Sequence, residues 1–274
     1  YVMKSKIFSV LVLFIGLVGC SRLDLAANLA NSYIVNKTDD FFDLNRDQKK
    51  IMREALEDDL AKIKKSILPQ LASELHRNAE IISSTKKIDK NDVLLSYQRI
   101  ENIFYQSIRI FSADAVTLAD KLSQEQINYF QEESQKKLEE LKEKPGKKSF
   151  DRMKKHFDSW LGTMTASQKS ELKNFIATNP PSIAETIHFR EVMVQDFVKV
   201  YPDKEARRKY VENIFNNYES IKGPIYARIM NEKTQKVAEF VTRVLNTMTE
   251  DQRNTLIHSL RDRANQLIKI SKSI

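Results

Sequence analysis

Glycine is almost missing from this chain: there are five in 274 residues, and after Cys20 only Gly146, Gly162 and Gly223 remain. Hairpin turns and phosphate-cradling loops need backbone at positive φ, which glycine supplies at least cost, so β-rich and doubly wound α/β folds are hard to build here. With 30% charged residues and long stretches free of breakers, helix is what remains. The breakers collect at Pro69, Pro145-Gly146, Pro180-Pro181, Pro202 and Gly223-Pro224. Between them apolar residues recur every three or four positions. Leu94, Tyr97, Ile100, Phe104, Ile108 and Phe111 make one stripe, and Ile183, Ile187, Val194, Phe197, Val198 and Tyr201 a second. Val237, Phe240, Val241, Val244 and Leu245 make a third. Each stripe can bury one face and leave a charged face in water. The expected fold is all-α, with eight to ten amphipathic helices in one helical domain. They fall at roughly 24–35, 46–84, 90–121, 124–143, 148–162, 166–177, 182–200, 203–220, 225–246 and 250–271. Pro69 is expected to kink or split the second.

The N-terminus reads differently. Met3-Lys4-Ser5-Lys6 is a short basic start, and Ile7 to Val18 is a run of twelve residues interrupted only by Ser9 and Gly16. That falls short of the ~20 apolar residues a membrane span needs and matches the apolar core of a secretion signal. Leu17-Val18-Gly19-Cys20 closes the run with small residues before a cysteine, the pattern cut by a lipoprotein signal peptidase. Residues 1–19 are therefore expected to be a signal peptide removed between Gly19 and Cys20, with palmitate-like chains on Cys20. A lipidated tether over 20–45 and a helical domain over 46–274 complete the expected organisation. Two or more lipid chains anchor stably where one does not. Cys20 is the only cysteine, which excludes an internal disulfide and a cysteine metal site. The net charge of +8 falls to +6 (8 − 2) once Lys4 and Lys6 leave with the signal. That excess suits anionic lipid head groups, and an envelope protein is not expected to meet nucleic acid. Ser21, instead of an aspartate, after the cysteine points to the outer membrane and a periplasm-facing domain.

One pattern recurs four times: Leu44-Asn45-Arg46-Asp47-Gln48, Leu122-Ser123-Gln124-Glu125-Gln126, Met164-Thr165-Ala166-Ser167-Gln168 and Met248-Thr249-Glu250-Asp251-Gln252. An apolar residue precedes a small polar one, and glutamine comes three places later. This is the spacing of a capping box, in which the side chains of Asn45, Ser123, Thr165 and Thr249 accept from the third backbone N–H of a new helix and the glutamine reaches back. Asp47, Glu125 and Asp251 also favour the positive end of a helix. The glutamines are 78 apart in the first pair (126 − 48) and 84 in the second (252 − 168), which predicts two duplicated halves meeting near 144–163. The basic stretch from Lys142 to Lys155, around Pro145-Gly146, is the expected connector.

Cys20-Ser21-Arg22-Leu23-Asp24-Leu25 and Asp39-Asp40-Phe41-Phe42-Asp43-Leu44-Asn45-Arg46-Asp47-Gln48 resemble a family of uncharacterised bacterial lipoproteins that open Cys-Ser-Arg and carry an Asp-aromatic-x-Asp-Leu-x-x-x-Gln stretch. The similarity runs on through Leu68-Pro69, Trp160-Leu161-Gly162 and the later cap motifs. It departs where Ser32-Tyr33-Ile34-Val35 replaces a tryptophan-rich stretch. That resemblance implies class and location but no activity. The caps also resemble, more loosely, the Leu-Thr-x-x-Gln motifs of the CpxP and Spy group of periplasmic stress proteins, which implies a chaperone-like or adaptor role.

Chemistry is sparse. His76, His156, His188 and His258 lie far apart, and Glu185-Thr186-Ile187-His188 is a single Glu-x-x-His where a carboxylate-bridged metal site in a bundle needs two. There is no His-Glu-x-x-His, no Gly-x-Ser-x-Gly and no glycine-rich phosphate loop. Tyr97, Phe104, Tyr105 and Phe111 could line a groove but have core spacing, as has Trp160. No catalytic, cofactor or metal residues are expected, and no small-molecule substrate is identified. The expected role is non-catalytic binding of unfolded or other envelope proteins at a membrane surface, with a structural part in outer-membrane assembly as the alternative.

Overall fold

A computed structural model of the chain describes residues 20–143, 149–221 and 223–273, and among them every regular element is a helix. The signal expected over 1–19, including Gly19, and Pro145-Gly146 of the basic connector lie outside the described residues.

The first helix, α1 (Cys20–Phe42), is longer at both ends than the expected 24–35. Most of the stretch 20–45 is therefore helical. Its Val35 is fully buried, and Asn31 Nδ2 donates to the carbonyl of Arg53 at 2.9 Å, so α1 is packed against the next helix. After a three-residue break, α2 (Arg46–Lys62) passes through a π turn (Ile63–Ile67) into α3 (Leu68–Ser84). Pro69 has no N–H to give to the ladder and would clash with the carbonyl four residues back. The chain answers with one wider turn, in which the Leu68 N–H reaches Ile63 O. Pro69 thus bulges the helix without splitting it.

The remaining elements are α4 (Lys90–Ile110), α5 (Ser112–Ala119), α6 (Gln124–Glu143), α7 (Ser149–Leu161), α8 (Ala166–Thr178), α9 (Ile183–Val200), α10 (Lys204–Asn216), α11 (Tyr218–Ile221), α12 (Gly223–Asn246) and α13 (Glu250–Lys272). Two expected helices are interrupted: 90–121 at Phe111 and 203–220 at Asn217.

Two apolar cores hold these helices. The smaller gathers Leu44, Val116, Leu122, Ile127, Phe197 and Val211, so it is built by α5, α6, α9, α10 and the α1–α2 corner. The larger gathers Leu71, Leu75, Trp160, Leu172, Phe240 and Leu260 from α3, α7, α8, α12 and α13. The chain is not cut into two spatial halves at 144–163. α3, from before that point, lies along α13, while α9 and α10, from after it, pack on α6 and α5. Polar contacts tie the crossing. Arg253 on α13 donates to the carbonyls of Ile82, of Thr85 at 2.8 Å and of Lys86 at 3.1 Å, capping the end of α3. Asn246 exchanges two hydrogen bonds with the backbone of Ile88, at 2.8 and 2.9 Å.

Candidate functional site

The four cap motifs each open a helix. Asn45 accepts from the Gln48 N–H at 2.9 Å, and Gln48 Oε1 accepts from the Asn45 N–H at 2.9 Å. The corresponding pairs are 3.3 and 3.0 Å for Ser123 and Gln126, 3.2 and 2.9 Å for Thr165 and Gln168, and 3.2 and 3.1 Å for Thr249 and Gln252. Leu44, Leu122 and Met164, the apolar residues before the caps, are buried.

The glutamines also meet one another. Gln48 and Gln126 exchange amide hydrogen bonds at 2.9 and 2.8 Å, and Gln168 and Gln252 do so at 3.0 and 2.9 Å. The second hydrogen of each amide goes to a backbone carbonyl. Gln48 donates to Lys121 at 2.8 Å and Gln126 to Asp43 at 3.0 Å, while Gln168 donates to Thr247 at 3.3 Å and Gln252 to Thr163 at 2.9 Å. In every case that carbonyl lies two residues before the partner's cap. Each Oε1 must face its own cap N–H, so each Nε2 must face the partner and the carbonyl; the amide orientation is fixed by the network. Two helix N-termini are thereby clasped together, once in each core. Glutamate could close the box but could not donate across the clasp, which is why all four positions carry an amide. The clasp is a joint, with no room in it for a ligand: Gln168 is 1% and Gln252 5% exposed.

Space for a ligand lies beside the first clasp. A cavity of about 610 Å³ runs between α1, α2, α5, α6, α9 and α10, inside the range of small-molecule sites. Ile34, Phe41, Ile51, Met193, Val194 and Ile214 are among its lining, half-buried because they face this space. Phe42, Phe130 and Phe197 form an aromatic corner, with Phe42 and Phe130 stacked at 4.7 Å and Phe197 edge-on to Phe130 at 5.6 Å. Thr117 on α5 and Glu140 on α6 line it and are exposed, so the cavity opens to solvent.

Four ionisable side chains reach the wall: Asp114, Lys137, Glu140 and Arg190. Lys137 and Glu140 pair at 3.4 Å. Burial, then a hydrogen bond and the charge of Asp59, hold the Asp114 carboxyl above the usual carboxylate range. Asp59 is fully buried; its Oδ1 takes Lys62 at 2.8 Å, and its Oδ2 finds no N–H donor among the described residues. Asp114 therefore keeps its proton to a higher pH than an ordinary carboxyl does. Burial draws the Arg190 guanidinium down from its ordinary value.

A second cavity of about 240 Å³, in the larger core, is lined by Leu71, Ile100, Trp160 and Phe240, with His156 on its wall. Burial, then Arg152 and Lys155, lower the His156 pKa. His188 and Glu185 are exposed on α9, and the described residues hold no group of three or more potential metal ligands. Tyr97 and Trp160 are buried in packing. The cavity walls, the Asp59–Asp114 pair and the cross-clasp bonds carry no local mark in the sequence; glutamine, and never glutamate, at all four motif ends was the one available signal for the last.

No curated protein and no solved structure matches this chain. A family model described as a family of unknown function (DUF6279) matches residues 40–227, more than half of the sequence and nearly every element around the larger cavity. The chain belongs to that family.

Proposed function

We propose that this protein is a non-catalytic binding protein of the bacterial envelope, anchored by lipid on Cys20 to the outer membrane and facing the periplasm, with a chaperone-like or adaptor role. The anchor rests on the order basic start, apolar run, Leu-x-Gly-Cys over residues 3–20. The cavity of about 610 Å³ carries the binding part. A well-packed interior has few voids larger than a water molecule, and an all-helical core of this size could have closed over its aromatic corner. It keeps an apolar space open beside a rigid joint instead. That is the arrangement of a receptor for something apolar, held where lipids and unfolded envelope proteins are met. Resemblance of the caps to the CpxP and Spy group points the same way. The structural alternative has one observation of its own: Leu29 and Tyr33, one turn apart on α1, are 52% and 56% exposed and could seat another envelope component.

Two measurements test the proposal. Cells fed labelled palmitate should label the protein, and Cys20→Ser should abolish the label. The chain from residue 20 carrying Cys20→Ser should bind an apolar probe saturably or hold unfolded envelope proteins in solution. Label retained by the variant would sink the anchor, and failure in both binding assays would sink the binding role.

A further inference from the structure

The larger cavity also says what its occupant must be. Its walls are carbon for nearly their whole extent, and a polar group placed there would give up its water without finding partners. An unfolded polypeptide brings an N–H and a C=O with every residue, so a peptide segment is a poor fit to the apolar depth of this space. A hydrocarbon chain brings none. At ~30 Å³ for each water-sized group, about 610 Å³ holds on the order of twenty of them, and a methylene is close to that size. Only one long chain fits. Among the polar groups that reach the wall, Lys137 and Glu140 on α6 leave somewhere for a head group to stay near water. α1 supplies Ile34, Thr38, Phe41 and Phe42 to the wall and begins at Cys20. At 1.5 Å per residue, roughly 21 Å of helix separates Cys20 from Ile34, so a lipid-anchored chain keeps this cavity within reach of a bilayer surface.

We infer that the cavity between α1, α2, α5, α6, α9 and α10 binds a single-chain amphiphile, its one long acyl chain lying against Phe41, Ile51, Phe130, Met193 and Ile214 and its head beside the Lys137–Glu140 pair of α6. This rests on the binding role proposed for the same cavity and narrows it to one ligand class. Two sources share that chemistry, a free fatty acid and a lysophospholipid, and the test separates them.

The chain from residue 20 carrying Cys20→Ser, which contains every element on the cavity wall, is titrated with cis-parinaric acid and the bound probe displaced by a series of saturated fatty acids and by lysophosphatidylcholine. One probe should bind per chain. Each added methylene should tighten displacement by up to ~4-fold, and the gain should stop near palmitate or stearate, where the cavity is full. Displacement by both competitors assigns recognition to the chain alone; displacement by the acid alone assigns a carboxylate head. Ala115→Trp, which puts an indole into the space, should weaken the probe at least ~10-fold while the protein remains folded. If that variant does not fold, Ala55→Phe on α2, also on the cavity wall, serves, with exposed Ile225→Ser as the surface control. Absence of saturable binding, a chain-length series without a plateau, or binding indifferent to both filling variants overturns the inference. Should the protein still hold unfolded envelope proteins in solution while ignoring acyl chains, the ligand class fails and the binding role survives. If both activities are missing, the binding role fails too.

Discussion

Gln252→Ala should be far more damaging than loss of a helix cap. The side chain is 5% exposed and makes hydrogen bonds to four groups: the Thr249 N–H, the Thr163 carbonyl, and both ends of the Gln168 amide. Truncation strands the Thr249 N–H and the Thr163 carbonyl and takes one bond from each end of Gln168, which keeps Thr165 and Thr247. At ~0.5–1.5 kcal/mol for each hydrogen bond, the loss of all four puts the cost at about 2–6 kcal/mol, centred near 4. A simple cap costs ~1 kcal/mol, and the whole domain is stable by ~5–15 kcal/mol. In urea, with a slope near 3 kcal/mol/M, the unfolding midpoint should fall by more than ~1 M. Adding Gln168→Ala should cost less than it does alone, with coupling of ~1–3 kcal/mol. Gln252→Glu separates clasp from cap, because it keeps the capping acceptor and loses the donor. It should match alanine at pH 7 and regain stability relative to the parent in acid, once the carboxyl carries a proton to donate. A loss under ~1 kcal/mol for Gln252→Ala, or a neutral Gln252→Glu at pH 7, would refute the clasp as a source of stability.

Asp114→Asn should stabilise the protein with a defined pH dependence. Because the folded carboxyl sits above its ordinary value, its contribution is complete below the unfolded value of ~3.9 and is lost as pH rises through the folded one. An asparagine donates to Asp59 at any pH, so the melting temperature of the variant should match the parent near pH 3.5 and exceed it by ~2–4 °C at pH 7, for about 1 kcal/mol. Arg253→Ala frees three carbonyls at the end of α3 and should cost ~1–3 kcal/mol; hydrogen exchange should quicken around residues 82–88, and Arg253→Lys should not restore it because an ammonium lacks the planar fork. Gly162 ends α7 at φ +75°, where an added Cβ would meet only Thr255 Cγ2 at 3.8 Å. Gly162→Ala should therefore cost ~1–2 kcal/mol from the dihedral alone, read from thermal unfolding, and a larger loss would mean a contact the structure does not contain.

Helices were legible because their signal is local. The stripe from Ile183 to Tyr201 gives α9 nearly to the residue, and Thr249 with Gln252 gives the start of α13. Pro69 was harder, since whether a proline splits, kinks or bulges a helix depends on how the preceding turn can widen. The C-terminal part of α1 is hard to read because Asn36, Lys37, Thr38, Asp39 and Asp40 are weak helix formers; the buried Val35 and the bond from Asn31 to α2 hold it. The clasps were half legible. Each box is written in four consecutive residues, while the bond from Gln48 to Gln126 spans 78 and leaves only a spacing in the sequence. The cavity was not legible at all. Val198 packs against the smaller core and Val194, on the same helix and in the same stripe, faces empty space. Periodicity marks a face as apolar and is blind to whether anything presses against it.

The two clasps and the crossed packing explain each other. Each clasp joins the two ends of one stretch of chain, from Gln48 to Gln126 and from Gln168 to Gln252. If each stretch also filled its own core, the protein would be two beads on the string 144–148. It is not: α3 leaves the first clasp to lie along α13 in the larger core, and α9 and α10 leave the second to cover α5 and α6 in the smaller one. Neither core is complete without helices bounded by the other clasp, so a break in one clasp loosens walls in both. The cavity lies where this exchange meets, with α1, α2, α5 and α6 supplied by the first stretch and its approach, and α9 and α10 by the second. Its width is then set by how the two stretches are held together, which gives the joints a direct hold on what the cavity can admit.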